Sequence, residues 1–421
     1  MIKPVRNPRA GFFLTSGPCF SYTSYIIPRA AGKGSAKMQM LERYRKNNTA
    51  RALVCAVFCV YLFGILMHSL LYHGWTNWAN GPVYRIVSKK QLTQILQALT
   101  WLLILLEFPI SWKRGLVALA AVMIRLYIPG IGGGNDRMLE LFVLAILSNL
   151  GTRKANAWTW MGVHITYILL LILLNARGLV TDFQKPEAWL ASFGGAYGHS
   201  LGMSHSNSLA IFTMSTVLMA WFLIPRKKVW ISALLFVAAA FFCLWFTKSK
   251  TVILLLLVFP FVEWAVGRCR LQNRKMRIVF TLLPLLACAV SFALAWYYML
   301  HEGQIRYTTF WMRFGELKYL IEYFHFPLGA PSFLDYPIYF DNFYIYLFAC
   351  CGYAAMAPVL LSFCRMHWKL AKEEQHTLLA VSVIFILYSM MENCIFYPAY
   401  FFVPVVAFAG NSEFGSIKRN L

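Results

Sequence analysis

Acidic residues are scarce in this chain. Its 421 residues include 16 Asp and Glu against 39 Lys and Arg, and charged residues make up only 13 %. That share is about half of what a soluble domain carries. Hydrophobic residues reach 59 % and aromatics 17 %, more apolar surface than so few charges keep in water. A water-soluble enzyme and a disordered basic tail are therefore excluded. Nucleic acid is not an expected partner either: the net charge of +23 has another explanation in membrane topology.

Other absences narrow the reading. None of the ten cysteines forms a CxxC pair or a Cys/His metal spacing, so neither a metal, a cofactor nor a disulfide framework is expected. Most sit in apolar runs as small packing residues. Residues 1–37 hold no apolar core of a signal peptide, because Gly17, Pro18 and Pro28 interrupt the one candidate. This basic stretch reads as a cytoplasmic tail covering 1–51, or as an over-long start, since Met38 and Met40 precede a basic helix start. The halves show no internal repeat, which weakens a transporter reading.

Long apolar runs are present instead. A bilayer core needs roughly 20 apolar residues per helix. Candidates lie near 52–72, 92–111, 115–131, 137–150, 157–176, 208–225, 229–247, 251–267, 278–300, 342–363, 377–393 and 395–411. The expected fold is an all-α polytopic transmembrane bundle of about 12 spans over 52–411. With the amino terminus inside, the inner segments and both tails, 1–51 and 412–421, hold most of the Lys and Arg. Positive residues stay on the cytoplasmic side, so both termini are expected there.

Two outer loops are long, about 177–207 and 301–341. In the second, Phe310, Phe314, Leu317, Ile321 and Phe324 form an apolar stripe at helical spacing. The spacing predicts a helix on the outer leaflet. Arg306 and Arg313 are seven residues apart and project to one side. Two guanidinium groups there suit a diphosphate. A solvated face with Arg313–Glu316 and Lys318–Glu322 pairs is the plainer alternative. The loop ends in Asp341 and Asn342, suited to sugar hydroxyls or to capping the next helix.

The first long loop ends in His205, Ser206 and Asn207 at the start of a span. His205 is a candidate base or hydroxyl-binding group, and Ser206 or Asn207 a candidate cap. Lys248 and Lys250 stand in a tight outer turn, either contacting phosphate or snorkelling. A Gly-rich outer turn leads through Asn135 and Asp136 to Arg137. Glu107 and Arg125 fall within spans, and Glu392 near the outer end of the eleventh. Intramembrane ionisable groups are functional candidates by default.

In their order, these segments resemble a known family. His205-Ser206-Asn207 resembles the Gly-Phe-x-His-Pro-Asn segment of Wzy-type capsular and exopolysaccharide polymerases. Thr247-Lys248-Ser249-Lys250-Thr251 resembles their Ser-Arg-Thr-like outer turn. Arg313-Phe314, Pro327-Leu328-Gly329, and Asp341-Asn342 with Tyr344 and Gly352 resemble their last long loop and next helix. Ser206 replaces a Pro of that pattern and Lys250 an Arg.

The resemblance implies a bacterial GT-C-like membrane glycosyltransferase, related to O-antigen polymerases and ligases. It would join undecaprenyl-diphosphate-linked oligosaccharide repeat units at the outer face of the cytoplasmic membrane, with a chain-length regulator as a partner. Catalytic roles would fall to His205, Arg313, Arg306 and Asp341. Asn207, Lys248, Lys250, Arg137, Asn342 and Glu316 would bind substrate. Two rival readings are a lipid-linked oligosaccharide flippase and an O-antigen ligase.

Overall fold

The computed structural model describes residues 56–67, 89–110, 115–116, 119, 153–180, 198–203, 206–301, 313–314, 341–392 and 400–409. All belong to one compact unit, Tyr44–Leu421. The expected spans 115–131 and 137–150 lie almost wholly outside the described residues, as do His205, Arg306, Glu316 and Arg137.

The described residues form helices and no strand: α1 (Ala56–Met67), α2 (Lys89–Ile110), α3 (Arg153–Ala176), α4 (Ser206–Leu223), α5 (Val229–Phe242), α6 (Lys250–Arg268), α7 (Arg274–Leu300), α8 (Phe343–Lys372), α9 (His376–Ser389) and α10 (Val403–Ala407). A π-helical turn, Cys243–Thr247, continues α5. Five of these helices, with α5 counted to Thr247, are apolar and long enough to cross a bilayer. The chain is an all-α membrane protein.

Burial sorts the helices into an inner and an outer set. α4 and α9 are apolar on every side and mostly buried, as a helix surrounded by others must be. α5, α6 and α7 bury only a minority of their apolar residues. They present Trp230, Trp245, Leu257, Phe261 and Leu286 outward. In water those side chains would oppose folding; in lipid they need no further cover.

Polar ties fix which helix ends meet. At one end the buried Arg153 of α3 pairs with the half-buried Glu373 after α8. Close by, Glu263 of α6 accepts hydrogen bonds from Trp221 Nε1 and Thr377 Oγ1, each at 2.9 Å. Arg268 lies over Trp264 and Arg277 over Trp368, at 5.2 and 5.5 Å. Such aromatic–cation pairs suit a bilayer surface. This end also carries Lys227, Lys228, Arg270, Arg274 and Lys275; it is the basic end.

The opposite end is organised by a break in α8. Gly352 has φ 65° and ψ −173°, a backbone region open to glycine alone. The helix bends there by 119°. Ile345 and Ala349 pack on Ala295 and Tyr298 of α7 and on Phe314. Asn342, the cap of α8, lies against Ser291. The short arm Phe343–Ala349 thus climbs α7 from Ser291 towards its end, and Gly352–Lys372 returns to the basic end. Asn342 is recessed: Ser291 precedes Leu300 by nine residues, about 13 Å of helix. From the sequence, Asp341 and Asn342 end the outer loop just before the next span. The glycine break puts them at the foot of a hairpin.

Further along the chain, the expected span 395–411 shows only the short α10 among its described residues, with Pro404 in its first turn. Residues 400–409 are nearly all buried, packed against α3, α8 and α9. Ser215 of α4 donates to the carbonyl of Tyr400, satisfying a backbone group where no long helix does so.

Candidate functional site

Five segments remote in sequence meet at the foot of the hairpin. The cap residue Asn342 is wholly buried. Its Oδ1 accepts from the backbone N–H groups of Tyr344 and Ile345 at 2.9 and 3.1 Å. Its Nδ2 donates to Ser291 Oγ at 3.0 Å and to the Met390 carbonyl at 2.8 Å. Two acceptances and two donations use the full capacity of an amide. Asn342 therefore anchors α7, α8 and the turn after α9 to one another, and its amide is committed within the protein.

That turn presents Glu392. Asn207 Nδ2, in the first turn of α4, donates to Glu392 Oε1 at 3.0 Å. Arg313 Nη2 donates to the same oxygen at 3.1 Å, and Arg313 Nε donates to the Met391 carbonyl at 3.0 Å. Asp341 Oδ2 lies 4.0 Å from that Nη2. The Arg313 side chain is 10 % exposed, Glu392 15 % and Asp341 34 %. Phe314 holds the arginine in place by packing its ring between α7 and the short arm of α8.

The cluster sets two carboxyl groups against one guanidinium in a poorly solvated place. α9 ends at Ser389, so Glu392 lies beyond the helix. The Glu392 carboxyl thus faces two side-chain donors, and a second carboxylate, Asp341, flanks the same guanidinium. The arrangement can bind hydroxyl-rich or anionic groups and can hold or release a proton. Among the described residues, no group of His, Cys, Asp and Glu is placed to hold a metal.

Of the site residues expected from the sequence, Arg313, Asp341, Asn342 and Asn207 come together here. Lys248 and Lys250 are exposed and occupy a different turn. Lys248 adopts a left-handed backbone, φ 55°, between the π-turn and α6. Gly198 fits under this turn because a Cβ there would collide with the Thr247 carbonyl. His199 N donates to the Phe246 carbonyl at 2.7 Å. The member that sequence reasoning left out of the site is Glu392. Its signal was a carboxylate at the end of a long apolar run, where an ionisable group is costly unless paired or used.

No protein-family model, curated protein or solved structure matches this chain.

Proposed function

We propose that this chain is a membrane polysaccharide polymerase. It joins undecaprenyl-diphosphate-linked oligosaccharide repeat units at the outer face of a bacterial cytoplasmic membrane. In this reading the chain crosses the membrane about 12 times and the basic end faces the cytoplasm, as the positive-inside rule requires. The Arg313 cluster then opens to the outer side, where lipid-linked repeat units are joined.

One observation carries the proposal: Arg313, Asp341 and Asn207, chosen from separate motifs, meet in one recessed polar cluster. The chemistry fits such a place. The donor's anomeric carbon already bears a diphosphate, a good leaving group. Departure of the diphosphate concentrates negative charge, which a preorganised guanidinium stabilises best where water is sparse. Arg313 has five N–H donors, and its bonds to Glu392 and to Met391 align the planar fork. Arg306, Lys248 and Lys250 add positive charge on the same side of the membrane. Asp341 and Asn207 supply groups for sugar hydroxyls, and a membrane-embedded site admits the lipid tail.

The reading is tested in cells that depend on this chain for surface polysaccharide. Arg313→Ala is expected to abolish polymer while the protein stays in the membrane, and a topology reporter fused after Phe326 is expected to read as extracytoplasmic. Full-length polymer from Arg313→Ala, or a cytoplasmic reporter, contradicts the site.

A further inference from the structure

We infer that Glu392 is the base that takes the proton of the attacking acceptor hydroxyl. The inference rests on the polymerase reading above and adds a residue to it. Among the described residues, both side-chain donors that hold Glu392, Asn207 Nδ2 and Arg313 Nη2, bond to Oε1. Oε2 takes neither. A carboxylate clamped by one oxygen keeps the other for a third partner, and the side chain retains 15 % exposure through which that partner can reach it.

Position favours Glu392 over a purely structural carboxylate. It shares an oxygen with the guanidinium assigned to the leaving diphosphate, so base and leaving-group stabiliser lie within one hydrogen bond of each other. The acceptor and the anomeric carbon must come together in that same volume. Among the described residues, the charged groups facing Glu392 are Arg313 and Asp341, both from the connection between α7 and α8; α4 contributes the neutral Asn207.

The step balances. The acceptor oxygen forms a bond to the anomeric carbon. The bond from that carbon to the diphosphate oxygen breaks, and its electron pair leaves with undecaprenyl diphosphate. The hydroxyl proton passes to Glu392 Oε2 and is later lost to solvent. Taking up a proton there also removes one negative charge beside Asp341 as the diphosphate is freed. A carboxylate within hydrogen-bond reach of the hydroxyl suits this task.

The test uses the purified full-length chain in liposomes supplied with a lipid-diphosphate-linked repeat unit. Glu392→Gln keeps an oxygen for both donors but cannot serve as the base. It is expected to slow extension by about 10²–10⁴-fold and to abolish the acid limb of the pH–rate profile. Binding of undecaprenyl diphosphate, followed by phosphorus NMR, is expected to be retained. Formate is expected to restore part of the rate to Glu392→Ala, as an external base placed in the vacated space. A wild-type rate and pH profile in Glu392→Gln overturns the inference and leaves the polymerase reading standing. So does loss of rate together with loss of diphosphate binding, because Glu392 would then act only by positioning Arg313. A wild-type chain that binds the lipid but forms no glycosidic bond overturns the polymerase reading and the inference with it.

Discussion

Arg313 and Glu392 stand 79 positions apart in the chain and meet at 3.1 Å. The arginine arrives on the connection between α7 and α8, the glutamate on the turn after α9. Asn342 joins the two sides by tying the start of α8 to Ser291 and to the Met390 carbonyl.

Arg313→Lys tests what the planar fork contributes. A lysine keeps the charge but cannot hold Glu392 and the Met391 carbonyl with parallel donors. Polymer output from Arg313→Lys is expected to fall between wild type and Arg313→Ala. For the alanine variant, losing one transition-state donor costs about 10²–10³ in rate. Polymer length and yield on gels check both values.

Asn342→Ala is expected to destabilise the fold rather than alter chemistry alone. It removes a helix cap, worth about 0.5–2 kcal/mol, and leaves buried partners on Ser291 and Met390, at about 1–3 kcal/mol. Thermal unfolding in detergent should show a clear loss of stability. Asn342→Asp keeps the cap acceptor but brings a charge into a buried position and loses both donations. It is expected to be no better than alanine.

Gly352→Ala probes the hairpin. Its backbone, φ 65° and ψ −173°, is open to glycine alone, so alanine must strain or straighten the break by about 1–3 kcal/mol. Straightening would lift Asp341 and Asn342 away from Ser291. Activity is expected to fall even where the protein remains in the membrane, and cross-linking of cysteines placed at Ala295 and Ala349, which share one packed cluster, would report the displacement.

Much of the helical layout was legible in the sequence. The spans expected at 157–176, 208–225, 229–247, 251–267 and 278–300 each contain or overlap a long apolar helix, because hydropathy reports directly on what lipid requires. The hairpin was not legible. Residues 342–363 read as one apolar run, and only the left-handed backbone at Gly352 divides it. At the expected span 395–411 the described residues hold only the short α10 and are buried against other helices, because an apolar run can be buried in protein as well as in lipid. The site was half legible. Arg313, Asp341, Asn342 and Asn207 carried polar signals at span ends. Glu392 had no neighbouring motif, and only the fold brings it to Arg313.

The measurement closest to the central claim is a reaction of the purified chain with one lipid-diphosphate-linked repeat unit in sealed liposomes. The account predicts a ladder of products spaced by one repeat, with one undecaprenyl diphosphate released per bond and none from Arg313→Ala. Movement of the intact lipid-linked repeat across the bilayer, with no new glycosidic bond, would contradict it and make the chain a flippase.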